Sequence, residues 1–275
     1  MQIQSTAPFF SILVVCLNPG KKLKLTIDSI LAQSCQDYEV IIKDGGSTDG
    51  SVEQLRQELA EQVEIVTKAD AGIYDAMNQA VALSRGKFIY FLNSGDSFHD
   101  SGVLTAVREQ IVSRGEKADS LILYGNILEQ QTAQIISSNP QMDAFGCYRN
   151  VPCHQACFYQ RELLLTHGFL TTYRVRADYE QFLWCFFVAK AGTCYMDLLI
   201  ADYEGGGFSE TRENRKCSAR EHREITANYM ATSQLIWYRF LLVITLAPLR
   251  TVLAENKITA GIYNKCKKIL YRRHR

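Results

Sequence analysis

Three acids stand where apolar runs end. Asp44 closes YEVIIKD, Asp70 follows VEIVTKA, and Asp96 ends KFIYFLNSGD, where a β-like run breaks into a small polar turn. A strand that delivers a carboxylate to its exposed carboxyl end builds ligand sites in open α/β sheets. So few carboxylates suit a hard divalent cation whose remaining ligands come from a substrate diphosphate. Competing chemistries lack their residues. No GxGxxG follows the first apolar run, and neither GxxxxGKS, GxxxxGKT nor GxSxG occurs. That removes a dinucleotide fingerprint, a Walker loop and a hydrolase nucleophile elbow.

Alternating strands and helices must hold these acids in place. Residues 11–18, 38–44, 63–68, 87–93 and 120–126 read as short buried strands, while 21–33, 51–62, 74–84 and 101–114 carry helical spacing. The alternation predicts an α/β, Rossmann-like and mostly parallel sheet flanked by helices on both faces. Asn18, Asp44, Asp70 and Asp96 then share its carboxyl edge. After Asn126 the rhythm breaks, and 129–151 is polar with Gly and Pro, the composition of a long functional loop. A strand over 154–160, a helix over 161–166, a second helix from Asp178 and a strand over 193–203 follow. The last ends in the glycine turn EGGGFSE.

With 275 residues, 47% hydrophobic and 21% charged, the chain can bury the core of one large domain plus an appendage. Its nine cysteines are scattered without a CxxC pair, as reduced core thiols are, which favours a cytoplasmic compartment over a disulfide framework or zinc site. The apolar start has no basic region before it, so it reads as a first strand rather than a signal peptide. The net charge of +1 hides an asymmetry: residues 257–275 carry seven Lys or Arg and no acid, leaving 23 basic against 29 acidic residues elsewhere. Just before them, 235–253 reads LIWYRFLLVITLAPLRTVL, whose longest charge-free stretch is 240–249. That is about half of the ~20 residues a spanning helix needs. Trp237, Tyr238 and Arg239 at one end and Arg250 with the basic tail at the other fit an amphipathic helix on an anionic membrane surface. The alternative is a helix docked on the domain with a solvated basic end. A nucleic-acid partner is not expected.

Five segments carry a family resemblance. IIKDGGSTDG after the second strand, DAGIYDAMNQA at the third helix, FLNSGD after the fourth strand, HQACFYQRELL, and ADYEQFL before the glycine turn occur in that order. Together they resemble glycosyltransferase family 2, of the kind that assembles bacterial exopolysaccharide or O-antigen units, over about residues 9–210. The resemblance implies a GT-A fold, a nucleotide-sugar donor with UDP the leading nucleotide, Mg²⁺ or Mn²⁺, and inversion at the anomeric carbon. It divides the chain into a domain over 1–210, with a nucleotide-sugar half of about 9–126 and an acceptor half of 127–210, and a helical basic extension over 211–275.

Residue by residue, the resemblance puts Val15, Cys16 and Asn18 near the base and ribose, and gives Asp44 a hydrogen bond to the base. DGGS is also turn chemistry, with Ser47 and Asp49 available to cap the next helix. Gly72, Asp75 and Asn78 would lie over ribose and diphosphate, with Asp75 where many members carry arginine. Asp96 matches the last acid of the DXD element and would hold the cation. Asn93 and Gly95 fill the other two places, so the donor must complete the site. A helix cap near Ser101 is the competing role for Asp96. Asp178 matches the general base, against Glu180 or a capping role. His154, beside Gln155, would face the donor, or be a hydrogen-bonded core histidine. The 205–209 loop is placed over the donor phosphates. QxxRW, which marks processive members, is missing, so one sugar per encounter is expected.

These readings converge on a transferase moving one sugar from a nucleotide-sugar to an acceptor hydroxyl, with a lipid-linked saccharide at the inner membrane face as the expected acceptor. A sugar nucleotidyltransferase would need a glycine-rich basic loop after the first strand, where LNPGKKLK has one glycine. A catalytically idle nucleotide-binding protein is the third reading.

Overall fold

The structure is a computed structural model that describes residues 7–59, 61–115, 120–205 and 211–244. Its first half is laid down by largely apolar runs. Phe10–Cys16 (β1), Tyr38–Asp44 (β2), Glu64–Thr67 (β3) and Phe88–Phe91 (β4) alternate with the helices Lys22–Leu31 (α1), Ser51–Leu59 (α2) and Ile73–Leu83 (α3). Each helix is the crossover that lets the next strand run parallel, and β3-β2-β1-β4 pair in parallel register.

Alternate residues of these strands go to opposite faces. Phe10, Ile12 and Val14 of β1, Val40 and Ile42 of β2, and Phe88 and Tyr90 of β4 share one core with Leu23, Ile27 and Ile30 of α1 and Val52 and Leu55 of α2. Val103, Leu104, Val107 and Ile111, from the helix Val103–Ser113 (α4), complete it. The intervening Leu13, Ile41 and Ile89 are buried too, and α3 packs on β1 and β2. Burial on both faces is why the strands read as continuous apolar runs. Each such side chain contributes about 1.5–3 kcal/mol.

Beyond α3 the sheet becomes mixed. The strands Ser97–Phe98 (β5), Leu121–Glu129 (β6), Gln134–Ile136 (β7), Cys157–Gln160 (β8) and Gly192–Tyr203 (β9) complete the order β3-β2-β1-β4-β8-β6-β9-β5, with β7 on β6. Only β6 with β9 is parallel here; β4–β8, β6–β8, β6–β7 and β5–β9 are antiparallel. The mostly parallel expectation therefore holds for the nucleotide half alone. The polar stretch after β6 folds back as β7 instead of crossing over, then forms the helix Ala144–Arg149 (α5), where Asp143 accepts from Gly146 N at 2.6 Å.

Two further differences matter for the site. The strand expected from His154 begins at Cys157, because His154–Ala156 forms a single 3₁₀ turn. After Arg161–Thr166 (α6), the next helix, Ala177–Phe187 (α7), has Arg176 as N-cap, so Asp178 lies inside its first turn.

The chain divides into two compact units, one through Ile225 and one from Thr226. The helix Arg212–Tyr229 (α8) starts in the first. Glu221, Ser218 and Glu213 of α8 all bond to Arg174–Arg176. In the second unit, Thr232–Ile244 (α9) has no buried residue and exposes Ile236, Trp237, Phe240, Val243 and Ile244. No described helix is long and apolar enough to cross a membrane. Arg250, the basic tail and most of the 205–209 loop lie outside the described residues. The eight described cysteines are all unpaired.

Candidate active site

The ends of β1 and β2 are clipped together by the DGGST loop. Asp44, 1% exposed, accepts from Ser47 N at 2.9 Å and Ser47 Oγ at 2.6 Å through Oδ1. Ser47 Oγ in turn accepts from Asn18 N at 2.8 Å, and Asn18 Oδ1 accepts from Thr48 N at 2.8 Å. Asn18 has φ 49, a left-handed conformation that asparagine tolerates. Ser47 is thus committed to this clip and does not cap α2. Asp49 does turn the chain into α2, accepting from Ser51 N at 3.1 Å, and it also holds Gly20 N at 2.8 Å. Val15 is buried, and the half-buried Cys16 thiol is pushed up to about 12 by burial and by the Asp44 charge.

Beneath this loop lies a lysine that periodicity hides. Lys43 is 0% exposed; its Nζ donates to Lys68 O at 2.6 Å, Asp70 Oδ2 at 2.8 Å and Asp44 O at 3.2 Å. Asp70 is therefore the carboxylate partner of a buried lysine. A Cβ at Gly45 would stand 2.8 Å from Asp70 Oδ2, so that glycine makes room for the pair.

The start of α3 holds Gly72 and Asp75 in local hydrogen bonds. Gly72, with φ 128, is the N-cap, and its N–H donates to Asp70 Oδ1 at 3.1 Å. Asp75 Oδ2 accepts from Ala71 N at 2.9 Å and Gln79 Nε2 at 3.0 Å. An acid in a first turn satisfies orphan N–H groups and suits the helix dipole, which accounts for Asp75 where arginine is common. Asn78 spends both ends of its amide on Phe169, donating to its O and accepting from its N, each at 2.8 Å. It ties α3 to the chain before α7.

The 3₁₀ turn at His154 bonds to two residues of the FLNSGD segment. Gln155 Nε2 donates to Asp96 Oδ2 at 3.0 Å, and Asn93 Nδ2 donates to His154 Nε2 at 3.2 Å. Asp96 is 4% exposed and also takes Glu204 N at 2.9 Å through Oδ1. Burial raises its carboxyl to about 6, although the Glu204 and Gln155 donors pull the other way. It caps no helix, for α4 begins after Gly102 and Asp100 serves that turn. Burial likewise lowers His154, keeping the imidazole neutral as an acceptor from Asn93.

These residues fit a hard cation. Asn93 Oδ1 and Ser94 Oγ are buried without a hydrogen-bond partner, so oxygen donors with unmet capacity stand in sequence beside a buried acid. Among the described residues no group of three or more His, Cys, Asp or Glu could enclose an ion. The remaining ligands would be diphosphate and water oxygens.

At the start of α7, Asp178 Oδ1 lies 3.2 Å from Tyr74 OH, which also donates to Val175 O at 2.7 Å. Tyr74, from α3, thereby meets the first turn of α7. Behind that turn Glu221, 4% exposed, accepts from the backbone N–H of Arg174 (2.8 Å), Val175 (3.0 Å) and Arg176 (3.0 Å). Burial pushes Glu221 up, but these donors outweigh it and hold its carboxyl below the usual range. Glu180 is buried and bonded to His167 Nε2 at 3.0 Å, which leaves Asp178 as the acid at this edge. Burial pushes the Cys153 thiol, one residue before the 3₁₀ turn, up to about 12, and the Asp178 and Asp96 charges add to that shift.

A Rossmann-like sheet joined to a mixed acceptor half, with acids gathered along its carboxyl edge, is the architecture of a GT-A glycosyltransferase. The fold matches that of S. aureus TarS 1–349 in complex with UDP, at TM-score 0.62 and 18% identity over 80% of this chain and 64% of that one. It also matches the mannosyltransferase PcManGT from Pyrobaculum calidifontis, solved with GDP-Man and Mn²⁺, at TM-score 0.57 and 13% identity over 94% and 84%. The model of glycosyl transferase family 2 matches residues 11–124. A PGL/p-HBAD biosynthesis glycosyltransferase from Mycobacterium bovis is 37% identical over 210 residues, 74% of this chain and 80% of that protein. The chain belongs to glycosyl transferase family 2.

Proposed function

We propose that the enzyme moves one sugar, with inversion, from a UDP-sugar to an acceptor hydroxyl on a lipid-linked saccharide during bacterial cell-surface polysaccharide synthesis. The observation that supports this reading is Asp96, buried next to the unpartnered oxygens of Asn93 and Ser94 and bonded to Gln155, together with Asp178 beside Tyr74 in the first turn of α7. Asp178 takes the proton of the acceptor hydroxyl as that oxygen bonds to the anomeric carbon; the bond to the diphosphate breaks and its electron pair leaves with UDP. The carboxylate also steadies the oxocarbenium character of the transition state. Asp44, Val15, Cys16, Asn18 and Gly72 line the nucleotide side, with His154 and Asn93 nearer the diphosphate. Asp96 would hold Mg²⁺ or Mn²⁺, which as a Lewis acid stabilises charge on the departing diphosphate. TarS structures with UDP and UDP-GlcNAc support the donor class, and the Mn²⁺ of PcManGT supports the cation.

The exposed apolar stripe of α9, with Arg239 beside it, supports peripheral attachment to the cytoplasmic face of an anionic membrane. Incubation with a panel of nucleotide-sugars, with and without Mn²⁺, tests the catalytic reading. Slow Mn²⁺-dependent release of UDP is expected, and full turnover in excess chelator would refute the cation role. Release of pyrophosphate would mark a sugar nucleotidyltransferase, and no turnover of any donor an idle nucleotide-binding protein.

A further inference from the structure

Position 95 has no side chain, and the space into which one would project is filled from elsewhere. Gly95 has φ +103, a conformation that favours glycine, and a Cβ there would stand 2.5 Å from Glu204 Oε2. Glu204 follows β9, whose Ala201 and Asp202 pair antiparallel with Phe98 and Ser97 of β5, a register that carries residue 204 across to 95 and 96. Its N–H donates to Asp96 Oδ1 at 2.9 Å. Its carboxylate is met by Lys22 Nζ at 2.7 Å, both side chains being partly exposed. An exposed ion pair adds little to stability, yet this one sits against the single buried acid of the cation site. The buried, unpartnered Asn93 Oδ1 and Ser94 Oγ belong to the same turn.

We propose that Glu204 is the second carboxylate of the cation site, supplying through space the acid missing at position 95, with Lys22 standing in for the ion until cation and diphosphate bind. This rests on the reading of Asp96 as the cation-holding residue. A divalent ion outcompetes a lone ammonium for a pair of carboxylates, and Lys22, once displaced, is free to meet the diphosphate charge.

Mn²⁺ titration of the full-length protein with UDP present, read as loss of the free-ion EPR signal, tests the assignment without any turnover. Glu204→Gln is expected to weaken Mn²⁺ binding at least about tenfold, with circular dichroism unchanged and UDP binding in the absence of metal no weaker. Asp96→Asn is expected to remove Mn²⁺ binding, and Lys22→Gln to leave it intact or tighten it. Unchanged Mn²⁺ binding in Glu204→Gln beside a loss in Asp96→Asn would overturn the role of Glu204 alone. A loss in Lys22→Gln equal to that in Glu204→Gln would do the same, since the ion pair rather than the carboxylate would then matter. Undiminished Mn²⁺ binding in Asp96→Asn would instead bring down the cation site as a whole.

Discussion

Asp96 is held ionised at a cost, and the cost has a pH signature. Its carboxyl is raised by burial from 3.8 to about 6, so between those values the folded state binds a proton that the unfolded state has released. The stabilisation is complete below about pH 4, falls as pH rises, and is gone above about 6. The span is worth at most about 3 kcal/mol. Asp96→Asn should therefore gain stability relative to the parent protein between pH 4 and 7.5, measured by urea unfolding without nucleotide or cation. A difference that stays flat with pH would contradict this. Asp178→Asn should lower kcat by about 10² to 10⁴ while leaving the KM for donor nearly unchanged, because its carboxylate is assigned to the acceptor proton. A rise in donor KM with kcat preserved would remove it from that role.

At the scale of elements, the first turn of α7 is aimed by α8. Glu221 gathers three consecutive N–H groups from the segment entering α7, and Glu221→Ala would leave all three without an acceptor. At about 1 kcal/mol each, the unfolding free energy should drop by about 3 kcal/mol. Steady-state kinetics should show kcat falling with donor KM steady; an unchanged kcat would mean that Asp178 is fixed without it. Such contacts explain where the sequence stopped being legible. The parallel strands were readable because each is a largely apolar run between helical periods, and Asp44, Asp96 and Asp178 drew attention because their motifs are contiguous. Lys43 was hidden as one polar position in YEVIIKD. Glu221 meets residues over forty positions away, and Glu204 meets Asp96 at a separation of 108, with no local pattern announcing either. HQACFYQ mixes polar and apolar residues as a strand would, so nothing in it marked the 3₁₀ turn that presents Gln155 to Asp96.

Across the whole molecule, the glycosyltransferase machinery lies within the unit that ends at Ile225, and the apolar stripe of α9 lies in the unit that follows. Deleting residues from 235 onward should leave donor turnover on a soluble acceptor analogue intact while releasing the protein from anionic liposomes. Equal sedimentation of both forms with liposomes would end the membrane reading. The thiols are also distributed over the entire body, and burial pushes Cys16, Cys147, Cys153 and Cys185 up to about 12. At neutral pH only about one in 10⁵ of such groups is thiolate, the form that reacts. Alkylating reagents should then pass over Cys16 despite its place at the carboxyl end of β1, and a covalent probe aimed at that edge of the sheet would have to seek a different nucleophile.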